Sequence, residues 1–136
     1  MKRKLNCIML VDDSEADNFL NQMYINDMDC CKSVLAMQSA KDALKFLEGE
    51  TNGSSPDLIL LDINMPGMNG WEFLEEYKKL KIARQKKIEV IVLSTSQNPR
   101  DRERAEMIQE ISEFKAKPLS KTMLTDIFQT HFPNYM

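Results

Sequence analysis

Short apolar runs alternate five times with amphipathic stretches along this chain, and that alternation leaves few folds open. Cys7 to Val11, Val34 to Met37, Leu58 to Leu61, Ile88 to Leu93 and Ile111 to Ala116 have the length and character of strands. The run at 58–61 has no alternation at all, as expected of a strand buried on both faces. It ends abruptly in Asp62 and then in Pro66 and Gly67 turn signals. Helical stripes follow each run. Ser14, with Asp17 three residues on, has the capping-box pattern, and Ala16, Phe19, Leu20, Met23 and Tyr24 then form one apolar stripe.

Ser39 caps a second helix with a buried face of Ala40, Ala43, Leu44 and Leu47, stopped by Gly49. A solvent-exposed loop is expected from Glu50 to Pro56. Phe73, Leu74, Tyr77 and Leu80 define a third helix that decays into the basic stretch Lys78 to Lys87, read as a solvated helix end, with Trp71 off its buried stripe. Asn98 and Pro99 open a strongly charged fourth helix with only Ala105 and Ile108 apolar on one side. Ser120 caps the last, with Met123, Leu124, Ile127 and Phe128 inward and His131 continuing the stripe as a helix-end packing residue. Five strands alternating with five helices imply βαβ units, a parallel sheet and right-handed crossovers. The expected architecture is a flavodoxin-like three-layer α/β/α sandwich with strand order 2-1-3-4-5.

Length and charge narrow the function classes. At 136 residues the chain reads as one domain, 1–136. Its 18 Lys and Arg against 21 Asp and Glu give a net charge of -3, so no field draws it to nucleic acid or an anionic membrane. Cys7, Cys30 and Cys31 have no second cluster at zinc-ligand spacing, and reduced thiols of a cytoplasmic protein are expected. The basic start before Leu5 has too short an apolar run and no cleavage site for a signal peptide, and no run is long enough to span a membrane.

In the expected strand order the first and third strands are neighbours, so Asp12, Asp13 and Asp62 crowd one crevice at the strands' carboxyl ends. Close carboxylate pairs repel by on the order of a few kcal/mol, so a cation is required. Oxygen ligands without His or Cys select Mg²⁺ or Mn²⁺, which keeps open positions for phosphoryl oxygens. Lys117 ends the fifth strand with a positive charge and Ser94 the fourth with a hydroxyl. Together they suit phosphoryl transfer to a nucleophilic carboxylate, with Asp62 the candidate. Taken singly, each has an ordinary alternative: adjacent acids favour a helix N-terminus, a strand-terminal Asp forms turns, and Ser94 can bond local backbone.

Asp12 and Asp13, Asp62 with Met65, Pro66 and Gly70, Ser94, and Lys117 with Pro118 together resemble the receiver domain of two-component response regulators, from Cys7 to Phe128. The resemblance is to a stand-alone, chemotaxis-type receiver without an output domain. It implies that Asp62 accepts a phosphoryl group from a histidine kinase or histidine phosphotransfer protein. It also implies Mg²⁺ held by Asp13, Asp62 and the Asn64 backbone carbonyl, with Asp12 acting through water. Ser94 and Lys117 would contact the phosphoryl group. Ser94 and the aromatic Phe114 would then switch the face made by the fourth helix, fifth strand and fifth helix, where a downstream protein docks. Ser94 stands where Thr is commoner, and Phe114 lacks the hydroxyl of the Tyr in some relatives. An aspartate-nucleophile phosphohydrolase is the alternative, but Asn64 occupies the place of its general acid.

Overall fold

The computed structural model describes residues 3–49 and 55–135. Its sheet is wholly parallel and runs β2-β1-β3-β4-β5, where β1 is Leu5–Val11, β2 Cys31–Met37, β3 Leu58–Asp62, β4 Glu89–Ser94 and β5 Glu113–Ala116. This is the expected order. Among the described residues the helices are α1 (Glu15–Met28), α2 (Ala40–Gly49), α3 (Gly70–Tyr77), α4 (Lys81–Gln85), α5 (Pro99–Glu106) and α6 (Lys121–His131).

The central strands divide two cores between their faces. Ile59 and Leu61 of β3 join Met9, Val11, Val90 and Val92 beneath α2 and α3, which contribute Ala43, Leu47, Phe73 and Leu74. Leu58 and Leu60 join Ile8, Leu10, Ile91 and Leu93 beneath α1 and α6, which contribute Ile25, Leu124, Ile127 and Phe128. A strand with helices on both sides has no polar face to show, which explains the unbroken apolar run at 58–61.

Several expectations are corrected. Among the described residues there are six helices, not five, because the basic stretch folds into α4, with Leu80 as its N-cap. Lys86 is no freely solvated lysine: it pairs with Asp57 at 2.9 Å and donates to the Ser55 carbonyl at 3.1 Å. Of the loop expected to be exposed, 50–54 lies outside the described residues, while Ser55 and Pro56 are buried. The second strand begins at Cys31, since its edge pairing with β1 continues to Leu5.

The α1 stripe is the largest reversal. Phe19 is 65% exposed and Leu20 and Met23 are also exposed, whereas Asn18, Asn21 and Ile25 face inward. The Asn18 amide is used there, donating to the Asp12 carbonyl at 2.9 Å. Trp71, expected off the buried stripe, lies in the core with the Arg104 guanidinium 4.4 Å from its ring centroid. Met68 is partly buried against the same core.

At the opposite end of the sheet, the His131 ring sits between Glu113 and Glu89, with Nε2 2.9 Å from one and Nδ1 3.6 Å from the other. It thereby ties the end of α6 to the starts of β4 and β5, the packing role expected of it. No described helix is long and apolar enough to cross a membrane.

Phe73 is fully buried and stacks on Tyr77 with centroids 5.8 Å apart. Phe73→Ala is expected to lower unfolding stability by about 3–5 kcal/mol, read as a lower urea midpoint.

Candidate functional site

Register alone assembles the site. Val11 lies opposite Leu61, so Asp12 and Asp62 follow as neighbours at the ends of β1 and β3. Asp62 lies opposite Leu93, one residue before Ser94, and Ser94 lies opposite Ala116, one before Lys117. The ladder continues past the strand ends through Asp12 N–H to Met37 O at 3.0 Å and Lys117 N–H to Ser94 O at 2.9 Å.

Local turns then fix the side chains. Asp12 Oδ1 accepts the Ser14 N–H at 2.9 Å, turning the chain into α1, whose cap Ser14 accepts from the Asp17 N–H. Only half of the expected capping box forms there, because the Ser14 N–H is already taken by Asp12. Asp62 Oδ1 accepts the Asn64 N–H at 3.2 Å. Gly70 donates to the Ile63 carbonyl at 2.9 Å and holds the loop after β3 tight against the strand. A Cβ there would stand 2.7 Å from Ile63 Cα and 2.8 Å from the Asp62 carbonyl oxygen, so only glycine fits.

The electrostatics are one-sided. Carboxylate oxygens of Asp12, Asp13 and Asp62 lie within 4.8 Å of one another. Lys117 Nζ answers them at 2.8 Å from Asp12, 3.1 Å from Asp17 and 3.6 Å from Asp62. Burial, above all, pushes the Asp62 carboxyl up to about 6; the Asp12 and Asp13 charges add to this, and Lys117 and the Asn64 N–H oppose it. For Lys117 burial pulls downward, yet the hydrogen bonds to Asp12 and Asp17 and the Asp62 charge outweigh it and raise its pKa. The donor set fits a small hard divalent cation: oxygen ligands only, an excess of negative charge, and an exposed Asp13 at the mouth. The single histidine lies at the other end of the sheet.

The structure places Asp12, Asp13, Asp62 and Lys117 together and ends β4 with fully buried Ser94 beside them, its Oγ accepting the Ser96 N–H at 2.9 Å. Asn64 follows on the loop with its side chain exposed. Phe114 stands apart on β5, buried, with the Arg102 guanidinium 5.0 Å from its ring centroid. Sequence reasoning missed Asp17 as a lysine partner and Asn18 as the brace behind Asp12. The signal for both was their spacing, four and five residues after Asp13, on the first turns of a helix that starts at the site.

Two outcomes follow. In the absence of divalent cation, the folded state holds the Asp62 proton more tightly than the unfolded chain, so stability should fall as pH rises from about 4 to about 6. Asp62→Asn should therefore stabilise the fold at pH 7 by on the order of 2–3 kcal/mol and lose that gain below about pH 4, as read by denaturant titration. Gly70→Ala, meeting backbone rather than flexible side chains, should cost about 1–3 kcal/mol in the same assay.

The chain is similar to known proteins over most of its length. The family model described as response regulator receiver domain matches residues 8–129. The two-component response regulator ORR1 of Oryza sativa subsp. japonica is 36% identical over 121 residues, 86% of this chain and 51% of that protein. Response regulator Rcp1 of Synechocystis sp. is 38% identical over 97 residues, 69% of this chain and 65% of that protein. The chain therefore spans about half the length of the rice relative. The crystal structure of a two component response regulator from Cytophaga hutchinsonii superposes with a TM-score of 0.83 at 31% identity, covering 94% of this chain and 97% of that one. This chain belongs to the response regulator receiver domain family of two-component signalling.

Proposed function

We propose that Asp62 is the phosphoacceptor of a signalling switch. The observation that carries this is the placing of one buried carboxylate between an acidic pair and an ammonium, with Lys117 Nζ 3.6 Å from Asp62 Oδ2. A histidine kinase or histidine phosphotransfer protein is the donor. In the transfer the phosphorus–nitrogen bond of phosphohistidine breaks as a bond from an Asp62 oxygen to phosphorus forms. The electron pair leaves on the imidazole nitrogen, which is reprotonated from solvent.

This chain's residues position the reactants and balance charge. Asp13, Asp62 and the Asn64 backbone carbonyl would hold Mg²⁺ directly and Asp12 through water, with Mn²⁺ as a substitute. When bound, the ion neutralises charge on the phosphoryl oxygens. Lys117 donates to a phosphoryl oxygen and Ser94 donates its hydroxyl proton. Ser94 lacks the methyl that stiffens a threonine rotamer, and the Ser96 N–H supports its Oγ instead.

Drawing Ser94 inward and moving Phe114 alters the α5, β5 and α6 face, where a downstream protein docks. Phe114 carries no hydroxyl, so this switch works through ring packing against Arg102. We take residues 1–136 as one receiver unit acting in the cytoplasm, with neither nucleic acid nor membrane as its partner. Its chemistry is confined to its own phosphorylation and dephosphorylation. Nothing in the site favours phosphohydrolysis, because Asn64 stands where the general acid is needed.

Acetyl phosphate with Mg²⁺ should add one phosphoryl group to the chain, detected by intact mass, and Asp62→Asn should abolish it. Labelling that persists in Asp62→Asn would refute the assignment. Ser94→Ala should still take label but lose most of the phosphorylation-dependent change in Trp71 emission, because Trp71 is stacked by Arg104 of α5.

A further inference from the structure

Asp17 has a position that its capping role does not explain. In a complete capping box its carboxylate would return to the Ser14 N–H, as Glu72 returns to the Asn69 N–H at 3.0 Å at the start of α3. At α1 that N–H is held by Asp12 Oδ1, and Asp17 Oδ2 instead accepts from Lys117 Nζ at 3.1 Å. Lysine has three N–H donors. One goes to Asp12, one to Asp17, and the remaining near acceptor is Asp62 Oδ2 at 3.6 Å, beyond good hydrogen-bond length.

We propose that Asp17 is a positioning residue for Lys117, holding its ammonium off Asp62 in the resting site. The inference rests on Asp62 being the phosphoacceptor, since its consequence is the availability of that carboxylate. Without Asp17, the ammonium has only Asp12 and Asp62 as near partners among the described residues, and a lysine stem of four carbons swings easily toward Asp62. A Lys117–Asp62 contact of bonding length would occupy the oxygen that a cation and a phosphoryl group need. Asp17 thus keeps the pair open, and its partly exposed position on the first turn of α1 lets it release Lys117 once a phosphoryl oxygen offers a better acceptor.

Mg²⁺ affinity by calorimetry on the whole chain tests this, alongside the rate of labelling by acetyl phosphate at saturating Mg²⁺. Asp17→Ala should weaken Mg²⁺ binding by about threefold or more and slow labelling at saturation, without raising the half-saturating acetyl phosphate concentration in proportion. Asp17→Asn keeps an oxygen acceptor for the ammonium and should recover most of both. Removing a charge acts on a cation even at a distance, so the deciding comparison is a double-mutant cycle. In a Lys117→Ala chain, Asp17→Ala should weaken Mg²⁺ binding much less than it does with Lys117 present, leaving only the direct effect of the lost charge. Equal losses with and without Lys117, or an Asp17→Asn chain as impaired as Asp17→Ala, would overturn the proposal. A wild-type chain that binds Mg²⁺ but takes no label would overturn the phosphoacceptor reading instead, and the calorimetric cycle judges Asp17 in either case.

Discussion

The parallel register of β1 against β3 is the constraint on which the functional edge depends. With Val11 opposite Leu61, hydrogen bonding between the two strands forces Asp12 and Asp62 into adjacent places as soon as the strands end. Two unit charges at 4 Å repel by about 4 kcal/mol at an effective dielectric near 20. A shift of one residue would relieve that repulsion, but it would also turn Ile8 and Leu10 out of one core and Met9 and Val11 out of the other. Burial of the strands on both faces therefore holds the acids together against their own charge. The partial relief is local, coming from Lys117 and from backbone N–H groups, and what repulsion remains adds to the burial that chiefly raises Asp62.

The central strands were legible because a short apolar run has few other uses in a chain of this size, and the order of polar residues ending those runs carried the site. Asp12, Asp62, Ser94 and Lys117 each end a strand or follow it immediately, so placing the strands placed the residues. Helices were read less well, because hydrophobic periodicity assumes that the apolar face is the buried one. On α1 the assumption failed. Burying Asn18 satisfies the Asp12 carbonyl and braces the site, and with the helix rotated that way Phe19 and Met23 have nowhere to go but outward. Trp71 escaped for a related reason: its cover is an arginine from α5, a contact between distant elements that leaves no periodic trace. The short α4 was hidden by its own charge, since a run of lysines reads as solvated whether or not one of them is tied down. Lys86 is tied down by Asp57 and Ser55, on the segment leading into β3.

Polar groups divide the labour between the two ends of the sheet. At the carboxyl ends, negative charge is left in excess and open to solvent through Asp13. At the amino ends, His131, Glu89, Glu113, Ser112 and Lys115 form a closed set of mutual contacts that leaves little charge unanswered. The first arrangement is suited to binding and the second to anchoring. Both use strand termini, where side chains escape the packing that governs the middle of the sheet.

The helices on either side of β5 are attached by different physics. α6 is keyed into the sheet by Leu124, Ile127 and Phe128, whose side chains interlock with neighbours and resist any translation that would open a void. α5 buries only Ala105 and otherwise rests its Arg102 and Arg104 guanidinium planes on the rings of Phe114 and Trp71. A flat cation over a flat ring has no knob to lift from a hole, and its attraction changes gradually with lateral offset. One flank of β5 is thus a toothed joint and the other a plain bearing, so displacement started at the β4 end has a ready direction in which to travel.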